Sequence, residues 1–222
     1  MARLARFVVP GIPHHVTQRG NGRQQTFFSD SDYAYYKTLL ATHCAAAGVA
    51  VWGWVLMPNH VHLILVPETT DSLRAALSKV HRAYAGHIHA REKRTGHFWQ
   101  GRFGCVAMDE PHLAAAIRYL ALNPVRAKLV KRAQDWRWSS VHAHLDPDCD
   151  DGLTDVQPML DRIEDFAALL AAGEDDEMSK TIRRSETTGR PVGNDDFMAS
   201  VEAVLQRSPL PGKRGRKSGE GS

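Results

Sequence analysis

The chain has 222 residues, 43% of them hydrophobic, which is enough for one cored domain of about 150 residues plus an appendage. It has no run of 18 apolar residues and no apolar stretch near the N-terminus, so the expectation is a soluble cytoplasmic protein with no membrane role. Cys44, Cys105 and Cys149 are widely separated with no C-x-x-C spacing, which argues against a disulfide framework and against a zinc site.

The net charge of +3 hides a division. Residues 1–144 carry 18 Lys and Arg against 8 Asp and Glu, a surplus of ten positive charges. Residues 145–207 carry 6 against 16, a deficit of ten, and the tail from Ser208 carries 4 against 1. A basic block of this size suits a polyanion partner held through phosphates, and a solvated basic surface gives the same count.

In chain order, His14-His15-Val16-Thr17-Gln18-Arg19 predicts a short strand ended by Gly20-Asn21-Gly22. Adjacent strand residues face opposite ways, so at most one of His14 and His15 reaches any given site. Ser29 or Asp30 can cap a helix from about Ser31 to Ala47, with Gly48 as its stop and Tyr33, Tyr35 and Tyr36 as packing residues. Two apolar runs, 51–56 and 63–66, predict adjacent strands joined at Pro58-Asn59. His60 and His62, two apart on the second strand, present their imidazoles to one face, a ready pair of metal ligands. On its own a His-x-His pair more often decorates a half-solvated sheet.

Asp71 or Ser72 opens a second helix with Leu73, Leu77, Val80 and Tyr84 inside and Arg74, Lys79, Arg82 and Arg91 outside. A glycine-punctuated loop follows, in which Phe98, Trp99 and Phe103 alternate with Arg102; Trp99 and Arg102 suit base stacking and phosphate contact, and core-edge packing explains the aromatics as well. A strand from Gly104 leads to Asp109-Glu110-Pro111, a helix start, and the helix is expected to stop before Pro124. Tyr119 and Asn123 share one face of that helix. The order strand, helix, strand, strand, helix, strand predicts an α+β fold, a ferredoxin-like antiparallel sheet backed by helices.

Beyond residue 145 the pattern changes. An acidic linker precedes an amphipathic helix expected over Val156 to Ala172, the run 173–177 breaks the pattern, and 194–207 predicts a last helix with Phe197, Val201, Val204 and Leu205 on its apolar side. Lys213, Arg214, Arg216 and Lys217 make a basic tail, expected to be disordered and able to lie along DNA. The acidic segment could shield the basic face until DNA displaces it.

Four ordered segments, Met57-Pro58-Asn59-His60-Val61-His62, Trp99-Gln100-Gly101-Arg102-Phe103, 118–127 with Tyr119 and Asn123, and Trp138-Ser139-Ser140, give the chain a resemblance to the single-tyrosine HUH transposases (IS200-like), above all the branch associated with repetitive extragenic palindromes. The resemblance covers roughly residues 1–145. It implies an HUH nuclease fold over 1–145, a helical extension over 146–207 and a tail over 208–222. It also implies an endonuclease and strand transferase that cleaves and rejoins single-stranded or hairpin DNA, as monomer or homodimer, in the nucleoid. Carried over residue by residue, His60, His62 and Asn123 hold one Mg²⁺ or Mn²⁺ and Tyr119 is the nucleophile, forming a 5′-phosphotyrosine. Arg102, Arg118 and Arg126 are candidate phosphate contacts. Tyr84, near His81, His87 and His89, competes with Tyr119 as nucleophile, although its place on an apolar stripe favours the core. The alternative function is a DNA- or RNA-binding regulator on the same fold, without catalysis.

Overall fold

A computed structural model describes residues 5–146, 148–173 and 176–210. Strands β1 (His14–Arg19), β2 (Val49–Met57), β3 (His60–Pro67) and β4 (Gly104–Ala107) form one antiparallel sheet in the order β2-β3-β1-β4. Helix α1 (Asp30–Ala45) follows β1 and α2 (Ser72–Glu92) follows β3. This β-α-β-β-α-β succession with the first and third strands central is the ferredoxin-like arrangement, as the sequence predicts.

The α1–α2 face holds an aromatic core. Phe27, Tyr33, Tyr36, Trp54, Tyr84 and Phe98 are buried there with Val61, Leu63 and Leu65 of β3. Helix α1 begins where expected because Ser29 and Asp32 form a reciprocal capping box. The Asp32 carboxylate also receives the Arg91 guanidinium, which ties the start of α1 to the end of α2. The Tyr84 hydroxyl donates to the Thr26 carbonyl at 2.7 Å. Tyr84 is therefore a satisfied core residue.

The opposite face is covered by α3 (Glu110–Arg126) and by the chain that follows it. Helix α3 starts at Asp109, whose side chain accepts from the His112 N–H, and lies close to the sheet because β2 carries Gly53; a Cβ there would strike Ile117. The expected stop before Pro124 does not occur. Proline forgoes its own N–H bond and crowds the carbonyl four residues before it, yet Ala127 and Leu129 donate to the carbonyls of Asn123 and Pro124, and the helix runs on to Arg126. That extra turn puts Arg126 seven residues from Tyr119, on the same helix face.

Trp138-Ser139-Ser140 docks along β2: Leu56 N–H donates to the Trp138 carbonyl and Ser140 N–H to the Trp54 carbonyl, both at 2.9 Å. A short helix α4 (Val141–Leu145) follows. The single helix expected over 156–172 is instead two, α5 (Gln157–Leu160) and α6 (Phe166–Ala171). Asp165 breaks it by capping a new start through the Ala168 N–H. The segment expected to break the pattern gives way, from Asp176, to α7 (Asp176–Thr188), which packs on α3 and β4. The last helix, α8 (Asp195–Leu205), is capped by Asn194 and buries Val201 against Phe7, Val9 and Ala107. Val204, expected on its apolar side, is exposed.

Candidate active site on the α3 face of the sheet

The Pro58-Asn59 turn is bolted in place. Thr26 and Phe27 N–H groups donate to the Pro58 carbonyl and Gly20 N–H donates to the Asn59 carbonyl. The turn therefore starts β3 in fixed register, with His60 opposite Arg19 and His62 opposite Thr17 on β1. Alternation turns Val61 into the aromatic core and both histidines toward α3.

The two imidazoles stand 4.9 Å apart, ring centre to ring centre, nearly perpendicular. Tyr119 lies 5.7 Å from His62. Burial pushes the His60 pKa down to about 3, helped by the charges of Arg19 and Arg126, and burial likewise holds His62 well below the ordinary value. Both rings are thus neutral near pH 7 and have a lone pair to offer. For His60 the available nitrogen is determined. Asn59 Nδ2 donates to the Arg23 carbonyl at 3.1 Å, which leaves Asn59 Oδ1 to accept from His60 Nδ1–H at 2.6 Å. His60 Nε2 is then the unprotonated atom.

Asn123, four residues beyond Tyr119, is buried, and its Nδ2 has no hydrogen-bond partner. Two neutral imidazoles on β3 and a buried amide one helical turn from Tyr119 are nitrogen and oxygen donors of the kind that suit a divalent cation.

Two groups that sequence reasoning did not assign complete the cluster. His15 on β1 meets His62 with 2.9 Å between His15 Nε2 and His62 Nδ1. Glu186 on α7 brings Oε1 to 3.7 Å from His62 Nδ1 and 3.9 Å from His15 Nδ1. His15, His62 and Glu186 together could hold a metal ion, their ligand atoms lying within 4.8 Å of one another. Burial raises the Glu186 pKa to about 7 against the opposing pull of Arg19, Arg126 and Arg183. Strand alternation allowed one of the two histidines to reach the site, and it is His15; His14 is held elsewhere, with its Nδ1 2.7 Å from the Ile12 carbonyl. Nothing in the sequence pointed to Glu186, because α7 is polar and its buried positions include Ser179 and Ser185.

Tyr119 is flanked by cations. The Arg126 guanidinium lies 4.0 Å from the ring centre and that of Arg183 5.8 Å. Burial and Glu186 raise the phenol pKa, while Arg126 and Arg183 lower it. An open cleft of about 340 Å³ leads to the histidines between Arg19, Gln100, Arg102 and Thr187. Arg102 is exposed at the mouth of this cleft. Arg118 is half-buried on α3, one residue from Tyr119 and so on a neighbouring helix face. Trp99 is half-buried and belongs to the opposite face, its Nε1–H donating to the His81 carbonyl at 3.0 Å and its ring against Phe98. Lys213, Arg214, Arg216 and Lys217 lie outside the described residues.

A family model described as "Transposase IS200 like" matches residues 9–123, just over half of the chain. The chain belongs to the IS200-like transposase family. The chain is 29% identical over 91 residues to the REP-associated tyrosine transposase of Escherichia coli (strain K12), a match over 40% of this chain and 52% of that protein. The chain thus spans about half the length of the curated relative it matches. A solved structure described as a REP-associated tyrosine transposase bound to a REP hairpin superposes with a TM-score of 0.57 at 20% identity, over 65% of this chain and 85% of that one. The two share a fold. The segment that the family model matches takes in His15, His60, His62, Tyr119 and Asn123 and ends before α7, so Glu186 lies beyond it. No helix among the described residues is long and apolar enough to cross a membrane.

Proposed function

We propose that this IS200-like transposase cleaves and rejoins single-stranded DNA at or near hairpins, with Tyr119 as nucleophile and His60, His62 and Asn123 as the holders of one Mg²⁺ or Mn²⁺. The observation that carries the reading is the convergence of Tyr119 and the two neutral histidines on one sheet face, at the end of a cleft lined by arginine. A bound divalent cation would polarise the scissile phosphate and offset the charge that develops on it.

The rest is the work of the chain. Arg19 and Arg102 draw the sugar-phosphate backbone into the cleft, and their positive field, unfavourable for a lone cation, suits a cation that arrives with phosphate. Arg126, stacked on Tyr119, holds the ring in place and favours its ionised form. The phenol oxygen bonds to phosphorus as the bond to the 3′-oxygen breaks, its proton passes to solvent, and the departing oxygen is protonated to a 3′-hydroxyl. Reversal by another 3′-hydroxyl rejoins the strand, since the phosphotyrosine conserves the bond energy. The related protein solved with a REP hairpin makes hairpin DNA the substrate to try first.

The test is incubation of the full chain with a labelled single-stranded hairpin and Mn²⁺, followed by a denaturing gel. A protein-linked fragment that forms with the natural chain and disappears in Tyr119→Phe is expected. Hairpin binding without any linked fragment would favour the regulator reading.

A further inference from the structure

We propose that the solvent face of α2 seats the double-stranded stem of the hairpin, with Lys79, Arg82 and Lys93 on its phosphates, while the single-stranded arm enters the cleft. The inference rests on the reading of hairpin DNA as the substrate, and it assigns the stem a surface on the other side of the sheet from the metal site.

Helix α2 buries Leu77, Val80 and Tyr84 against the sheet. At 3.6 residues per turn, the side facing directly away carries Ala75, Lys79, Arg82, Gly86, Ala90 and Lys93, all exposed. This stripe has no carboxylate; Glu92, the one acid of the helix, points to another side and is paired with Arg91. The other two arginines of the helix are also tied down, Arg74 to Asp71 and Arg91 to Asp32. Lys79, Arg82 and Lys93 have no hydrogen-bond or ion-pair partner among the described residues.

Gly86 sits in the middle of the stripe. A glycine inside a helix costs stability relative to alanine, and nothing lies within 4 Å of where its Cβ would be, so the fold does not require it. Gly86 and Ala90 leave the helix surface low between Arg82 and Lys93, which lets a broad, stiff partner come close. Along the axis those two cations stand about 16 Å apart, enough to reach both banks of a groove about 12 Å wide. The stripe offers no Phe, Tyr or Trp, whereas unpaired bases are held largely by stacking on such rings. Cations without rings suit the backbone of a duplex, whose two strands give it a dense line of charge. Among the described residues the acidic extension lies elsewhere, with α6 and α7 packed against α3 on the opposite face of the sheet.

The C-terminal end of α2 stands at the same end of the sheet as the mouth of the cleft. Arg94, just past the helix, donates to Gln24 Oε1 at 2.9 Å, and Gln24 Nε2 donates to the Phe98 carbonyl at 3.0 Å. Arg23, next to Gln24, accepts at its carbonyl from Asn59, the neighbour of His60. Gln100 N–H donates to the carbonyl of Arg19, and both residues line the cleft. A stem lying on α2 therefore ends beside the rim over which its arm must turn to reach Tyr119.

The experiment measures binding by the full-length chain, as fluorescence anisotropy across a salt series, to a hairpin with a single-stranded arm and to the same arm without the stem. Lys79→Gln together with Arg82→Gln should weaken hairpin binding about 10-fold and lower the salt slope by about 2, with the arm alone bound within about twofold of the natural chain. Lys128→Gln together with Lys131→Gln removes the same charge from exposed positions at the end of α3 and should leave hairpin affinity within about twofold. Gly86→Glu, which the open space accommodates, should weaken the hairpin about fivefold by setting a carboxylate against phosphate. The stem surface is overturned if the α2 pair keeps the natural hairpin affinity and salt slope, if it loses hairpin and arm equally, or if the natural chain binds the arm as tightly as the hairpin. A natural chain that forms no Tyr119-linked fragment, while the α2 pair still loses the hairpin alone, would defeat the cleavage reading and leave the stem surface standing.

Discussion

The polar groups near the two buried tyrosines, Tyr84 on one face of the sheet and Tyr119 on the other, are treated differently. Under α1 and α2, Tyr84 donates to a carbonyl, Tyr36 pairs with His81, and Asp32 with Arg91. Under α3 and α7, Asn123 Nδ2, His15 Nδ1 and Glu186 Oε1 are left without partners, close to Tyr119. The polar groups around Tyr84 are satisfied within the fold, whereas several on the side of Tyr119 are not. The difference separates two buried tyrosines that look alike in sequence: the Tyr84 hydroxyl is consumed by the fold, and the Tyr119 ring faces two histidines and two arginines.

The largest effect that could break this contrast lies at His62. His62→Ala should reduce formation of the covalent adduct by more than about 10³-fold, while hairpin affinity, carried mainly by phosphate contacts and measured by fluorescence anisotropy, stays within about threefold. Full adduct formation in this variant would remove the site from the α3 face.

Next in size is the fit of α3 on the sheet. Gly53→Leu should destabilise the protein by about 3 kcal/mol or prevent folding, because the added side chain meets Ile117. Urea denaturation with no shift in midpoint would mean that α3 does not lie against β2 as described.

The faces also predict a two-stage loss of stability in acid. Burial holds His14, His15 and His144 down to about 4 and His81 to about 3. Below about pH 6.5 the unfolded chain takes up protons that the folded chain refuses, so stability falls as pH drops from there toward 4, by about 1.4 kcal/mol per pH unit for each such histidine. Burial alone would raise the Asp32 carboxyl, and hydrogen bonds from Arg91 and the backbone more than offset it, so its folded value lies below the usual carboxylate range. Its contribution is present above about pH 4 and is lost only below that, as pH falls through the folded value. Urea midpoints measured from pH 7 to pH 3 check both stages, and Asp32→Asn should flatten the lower one alone.

The smallest effect tests the extension. Val201→Ala should cost about 1–2 kcal/mol by opening a hole against Phe7 and Val9, whereas Val204→Ala should change stability by less than about 0.5 kcal/mol. Equal losses would mean that α8 docks by another face.

The ferredoxin-like order was legible because strand alternation, capping residues and glycine stops agree with the fold from His14 to Ala107. The placement of the histidine pair on one face of β3 and of Tyr119 on α3 was legible in their spacing. What stayed hidden has physical reasons. Pro124 normally ends a helix, and here hydrogen bonding resumes after it, from Ala127 N–H to the Asn123 carbonyl and from Leu129 N–H to the Pro124 carbonyl, with Arg126 reaching Tyr119. Asp165 splits a helix that periodicity alone would join. Glu186 belongs to a helix packed through Ser179, Ile182 and Ser185, a stripe too polar for a hydrophobic pattern to mark, and its proximity to His62 exists only in three dimensions.

The most direct measurement is mass spectrometry of the trapped protein–DNA adduct after proteolysis. The contrast between the two faces predicts that the nucleotide is carried by the peptide containing Tyr119, and that Tyr84→Phe still forms the adduct while losing about 1–3 kcal/mol of stability from the stranded Thr26 carbonyl. A nucleotide found on Tyr84 would contradict it.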